Sequence, residues 1–116
     1  MENQHRMIKT YRDLDSAEIA LMNECKEMEA QVLDLLSRVN ANLVAQRDAA
    51  CETLRSSSST PEEDNAAQEV LTRHADTEPL RWIELARADI QVGFMKLTRS
   101  VAQPIPFSIA KLNQPK

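Results

Sequence analysis

Tyr11, the only tyrosine of the chain, sits in a segment from His5 to Arg12 that also carries Arg6, Lys9 and Arg12 and no acid. An aromatic ring among cations matches the needs of a heterocyclic base and its phosphate, because the ring offers a stacking face and the cations offer charge-assisted donors. Such a cluster stands out in a chain of formal net charge -4. Arg81-Trp82, which holds the only tryptophan, is a second place of this kind. Aromatic residues make up 3% of the sequence, so these two places are where a planar anionic ligand would be gripped.

Lys26 has two readings. It follows Cys25 and flanks an apolar stripe, with Glu24, Glu27 and Glu29 around it. On spacing alone it is a solvent lysine that offsets those acids. If the N-terminal segment folds back, Tyr11 comes near the first turns of the helix; the ring then stacks on a base while the Lys26 ammonium meets a phosphate.

Other chemistry is missing from the sequence. A lone glycine, Gly93, excludes a glycine-rich phosphate loop and a dinucleotide-binding fingerprint. His5 and His74 belong to no zinc or metalloprotease pattern, and each is expected to be a surface or interface histidine. Acids are plentiful but scattered, with no pair singled out for acid-base work. An enzyme such as a phosphodiesterase is therefore disfavoured, and neither a metal nor a cofactor is expected. Polymeric nucleic acid is disfavoured too, because the segment from Ser56 to Leu80 sets Glu62, Glu63, Asp64, Glu69, Asp76 and Glu78 against Arg73 alone and would repel a phosphate backbone.

The elements that carry these residues read as helices. Between Tyr11 and Thr60 there is no glycine and no proline. Asp15 and Glu18 form a capping-box pair, and apolar residues recur at Ile19, Met22, Cys25, Met28, Val32, Leu35, Leu36, Val39, Leu43, Ala50 and Leu54, a spacing of three and four. A single helix from Ser16 to Arg55 would be about 60 Å long, whereas a compact globule of this chain length is roughly 35 Å across. Either the helix breaks near Asn40-Ala41-Asn42, or another copy of the protein covers much of its stripe. The second is favoured, because the stripe continues through Leu43 and Leu54 without a capping change. Cys25 and Cys51 would then be ~39 Å apart on one helix, too far to bridge, and are expected to be reduced, packed thiols.

The serines from Ser56 to Ser59 end that helix. Thr60-Pro61-Glu62-Glu63 supplies an N-cap, a proline at the first helical position and early acids, which predicts a second helix. Thr77-Glu78-Pro79 opens a last helix in the same way, with Ile83, Ala86, Ile90, Phe94, Leu97 and Val101 as its stripe up to Gln103-Pro104. Gly93 in the middle of this helix costs roughly 1 kcal/mol relative to alanine, and is expected to mark a tight helix crossing within or between chains.

At 116 residues, with 42% hydrophobic and 28% charged, the chain has room for one domain of ordinary soluble composition. The expected fold is all-α, a long N-terminal helix followed by C-terminal helices, assembled as an interlocked helical homo-oligomer. Residues 1–107 are read as a single oligomerising domain with a polar acidic connection around 56–78, and 108–116 as a flexible tail. No apolar run spans a bilayer and the N-terminus lacks the apolar stretch of a signal peptide, so a cytoplasmic location without membrane association is expected.

Two blocks carry a further resemblance. Asn3-Gln4-His5, Ile8-Lys9, Tyr11-Arg12-Asp13-Leu14, Ile19, Met22-Asn23 and Lys26-Glu27 form the first, and Glu78-Pro79, Arg81-Trp82, Ala86, Asp89-Ile90-Gln91, Gly93, Met95, Arg99 and Ala102-Gln103-Pro104 form the second. In order and spacing they resemble the phage anti-CBASS sponge family, small helical proteins that sequester cyclic oligonucleotide signals. The resemblance implies an all-helical homohexamer that binds without hydrolysing. It implies pockets between subunits for cyclic dinucleotides such as cyclic GMP-AMP, where Tyr11 would stack on bases and Lys26 would contact phosphate; Arg12 joins them by its place beside Tyr11. It further implies separate pockets for cyclic trinucleotides where three subunits meet, served by Arg81. The stretch from about residue 42 to 73 departs from the family pattern in being longer and more acidic. The competing reading is a structural or protein-binding helical homo-oligomer in which Tyr11, Lys26 and Trp82 are interface residues.

Overall fold

A computed structural model describes residues 13–104, and among them the chain is all-helical, with α1 at Ser16–Arg55, α2 at Pro61–Thr77 and α3 at Pro79–Ala102. Helix α1 starts at the expected capping box: the Glu18 backbone N–H donates to Asp15 Oδ1 at 2.8 Å, and the Asp15 N–H donates to Glu18 Oε1 at 3.0 Å. The helix then passes through Asn40-Ala41-Asn42 without interruption, so the alternative of a break there does not occur. Nothing in those residues removes a backbone donor or forces a kink.

After the serine turn, Thr60 caps α2. The Glu63 N–H donates to Thr60 Oγ1 at 3.1 Å and the Thr60 N–H to Glu63 Oε1 at 2.9 Å, with Pro61 at the first helical position. The acidic stretch around 56–78 is thus mostly helix. The start of α3 differs from expectation. Helix α2 runs through Thr77, whose hydroxyl donates back to the Arg73 carbonyl at 2.7 Å, which leaves Glu78 as the only residue between the two helices. Glu78 adopts the left-handed conformation (φ 49°, ψ 53°), closes α2 through its N–H to the His74 carbonyl at 3.0 Å, and accepts from the Arg81 and Trp82 N–H groups at 3.1 and 3.2 Å. Helix α3 ends in a similar way on Gln103, at φ 46°, followed by Pro104.

The helices contribute to two units. In the unit Gln31–Ile90, the buried side chains are Leu36 and Ala50 of α1, Ala67 of α2 and Ile83 of α3. Two of these four are alanines, which lets α1 and α2 approach closely. Helix α2 runs antiparallel to α1: His74 Nε2 lies 3.0 Å from Gln46 Oε1, and Thr53 lines a cleft of about 400 Å³ together with Glu63 at the other end of α2. In the second unit, formed by described residues up to Ala30 and from Gln91 on, Met22, Cys25, Phe94 and Val101 are half-buried. A Cβ added at Gly93 would meet no atom within 4 Å, so no described part of the same chain makes the close crossing expected there.

Much apolar surface is left over. Leu36 is buried while its neighbour Leu35 is 50% exposed, and Ile19, Leu21, Met28, Val39, Leu54, Trp82, Leu85, Val92, Met95 and Leu97 are exposed as well. No helix of the described residues is long and apolar enough to cross a membrane.

Candidate functional site

The Arg81-Trp82 pair stands on the first turn of α3, and local structure orients it. The Glu78 carbonyl receives both backbone N–H groups, which fixes the first turn, and Pro79 pre-sets its backbone angle. The guanidinium carbon of Arg81 lies 5.9 Å from the centroid of the Trp82 ring, at the outer limit of a cation–π contact. On its other side, Arg81 Nη1 approaches Glu78 Oε2 at 3.3 Å. Trp82 is 61% exposed. A guanidinium and an open indole face side by side can receive a phosphate and a base, by charge-assisted donation and stacking respectively.

Lys26 lies on α1 with its side chain exposed. Among the described residues it has no ion-pair partner within 4 Å, so it stands as an exposed lysine whose ammonium no carboxylate engages directly. An ammonium group in this state meets an arriving anion without first having to release a carboxylate. His74 makes a partly buried hydrogen bond to Gln46 and helps hold α2 on α1, which gives it a structural place. Cys25 and Cys51 are free thiols, each half-buried. Among the described residues, no three His, Cys, Asp or Glu side chains come together as metal ligands.

No family model matches the chain. The Anti-CBASS protein 2 of Pseudomonas phage JBD67 is 38% identical to it over 105 residues, which is 90% of this chain and 97% of that protein. The chain belongs to the Anti-CBASS protein 2 family. The resemblance carried by the two terminal blocks therefore holds at the level of the family, and the similarity extends well beyond those blocks.

The residues expected to form this family member's sites fall in three places. Tyr11 and Arg12 lie outside the described residues. Lys26 belongs to the unit that includes residues up to Ala30, and Arg81 to the unit Gln31–Ile90. Arg81 is brought together with Trp82 and with Glu78, a residue that sequence reasoning did not place at a site. The signal available for Glu78 was an acid three positions before an arginine, the spacing of a helical ion pair.

Proposed function

We propose that this member of the Anti-CBASS protein 2 family acts in the cytoplasm of the infected host cell, where it sequesters cyclic oligonucleotide immune signals without cleaving them. Its ligands are cyclic dinucleotides such as cyclic GMP-AMP and, at a separate site, cyclic trinucleotides. Family membership at 38% identity over nine-tenths of the chain carries this reading. Tyr11, Arg12 and Lys26 grip the dinucleotide, and Arg81 grips the trinucleotide. The exposure of Lys26, which has no ion-pair partner among the described residues, and that of Trp82 beside Arg81 support these roles.

The binding unit is a homo-oligomer, a hexamer by family resemblance, with pockets formed between subunits. Support comes from the apolar balance. Among the described residues four hydrophobic side chains are buried while eleven large ones are exposed, more than a solitary subunit would leave in water. Stacking contributes roughly 1 to 3 kcal/mol per base and a charge-assisted contact about 1.5 to 3 kcal/mol, so symmetry-related copies of the same few residues around one ring suffice for tight binding. Free signal then falls by mass action, and the effector that it would activate stays idle.

The test mixes the purified protein with cyclic GMP-AMP or a cyclic trinucleotide, measures binding by calorimetry, then denatures the protein and analyses the released nucleotide. Intact ligand recovered after tight binding is the expected result. Cleaved ligand would make the protein an enzyme. No binding to any cyclic di- or trinucleotide would leave a structural or protein-binding oligomer.

A further inference from the structure

Three observations meet at the corner between α2 and α3. Glu78 is the single residue linking the helices and is held in the left-handed backbone conformation, at φ 49°. Its carboxylate reaches Arg81, with Oε2 3.3 Å from Nη1. The same guanidinium lies 5.9 Å from the centre of the exposed Trp82 ring. Both backbone N–H groups of the next turn are held on the Glu78 carbonyl, which fixes where the Glu78 side chain starts relative to Arg81.

We propose that Glu78 is a specificity-determining residue for the Arg81 site: its carboxylate occupies the guanidinium in the free protein and must be displaced by a ligand phosphate. This rests on the reading of Arg81 as a phosphate contact made above. The pair suits such a placeholder. It is one long contact between side chains that are 63% and 53% exposed, the class of ion pair that contributes least and is most readily exchanged. A guanidinium has donors on two edges, so a phosphate that accepts from two of them outcompetes a carboxylate held by one. Glu78 also sets a charge threshold, since its repulsion acts on every anion that approaches and only a ligand with several phosphates and a base for Trp82 recovers the loss.

The experiment measures cyclic trinucleotide and cyclic GMP-AMP affinity for the full-length wild type, Glu78→Gln, Glu78→Gly, Arg81→Ala and the Glu78→Gln, Arg81→Ala double variant. Removing the carboxylate should tighten trinucleotide binding roughly three- to tenfold, the scale of one exposed charge at this distance. Cyclic GMP-AMP affinity should stay within about twofold, and the gain should vanish in the Arg81→Ala background. Glycine tolerates φ > 0, so Glu78→Gly also relieves the backbone and should raise the melting temperature, which Gln does not; equal tightening by both variants assigns the effect to charge and not to strain. Unchanged or weaker binding by Glu78→Gln, with Arg81→Ala still deleterious, overturns the role of Glu78 alone. A wild type that binds no trinucleotide, or an Arg81→Ala protein that binds as the wild type does, overturns the Arg81 site and this inference with it.

Discussion

Replacing Gly93 by leucine separates a solitary chain from an assembled one, because the expected effect differs in sign. Gly93 lies in the middle of α3, and among the described residues a Cβ placed there meets nothing within 4 Å beyond its own helix. In an isolated chain the substitution would therefore only add helix propensity, about 0.8 kcal/mol, which for a protein of this size raises the melting temperature by ~4 °C. In the proposed homo-oligomer the effect is the opposite. On the same helix Val92, Met95 and Leu97 are exposed, Met95 at 66%, and of these Leu97 shares the face of Gly93 at the i+4 spacing. A second copy seated on this apolar face would come nearest at the glycine, and a leucine there would force overpacking at about 1 to 3 kcal/mol for every seam it enters. The expected outcome is a smaller solution mass by light scattering and a lower melting temperature, with Gly93→Ala showing a weaker form of both. A Gly93→Leu protein with the parental mass and a melting temperature several degrees higher would refute self-association through this face.

Further outcomes can be checked in the same preparations. Tyr11→Ala and Lys26→Ala should each weaken cyclic GMP-AMP binding by about 1 to 3 kcal/mol in calorimetry while the oligomer mass stays unchanged, and an unaltered affinity in both would remove them from the site. Thr60→Ala takes away the hydroxyl that accepts from Glu63 at 3.1 Å and should cost about 1 kcal/mol in denaturant unfolding; a loss near zero would mean that α2 is held by its packing alone. Ile83→Ala, at one of four buried positions, should cost about 2 to 5 kcal/mol by the same measurement, and a cost below 1 kcal/mol would show that the core of this unit lies elsewhere.

The helices were legible in the sequence because their ends are marked by residues whose side chains do the capping. Asp15 with Glu18 and Thr60 with Glu63 make reciprocal bonds that spacing alone foretells, and Pro79 and Pro104 bracket α3. The α2–α3 corner was less legible. A left-handed residue is usually announced by glycine or asparagine, and here it is a glutamate, held by the helices on both sides. Burial along α1 was legible only in part. Periodicity groups Met28, Leu35, Leu36 and Val39 on one stripe, yet a neighbouring helix covers a narrower arc, and of these only Leu36 is buried. Gly93 was expected to mark a close helix crossing, and no described residue outside its own helix comes within 4 Å of a Cβ there. Of the site, Arg81 and Trp82 drew attention by their rarity and adjacency, whereas the carboxylate beside them depends on a backbone angle that composition does not reveal.

The one-residue corner at Glu78 has a consequence for how chain length can vary. Glu78 both closes α2 through its N–H and receives the first N–H groups of α3 on its carbonyl, so an extra residue there would divide these bonds between two positions and loosen the link to Ile83 in the interior. The serine turn between α1 and α2 is different: its hydroxyls bond locally, Ser59 Oγ to Asp64 Oδ1 at 2.6 Å and Ser56 to Ser58 at 3.0 Å, and its backbone follows no helical register. Insertions and deletions among relatives should therefore collect in the turn and spare the corner, which keeps Arg81 and Trp82 at a constant setting while the neighbouring hairpin grows or shrinks.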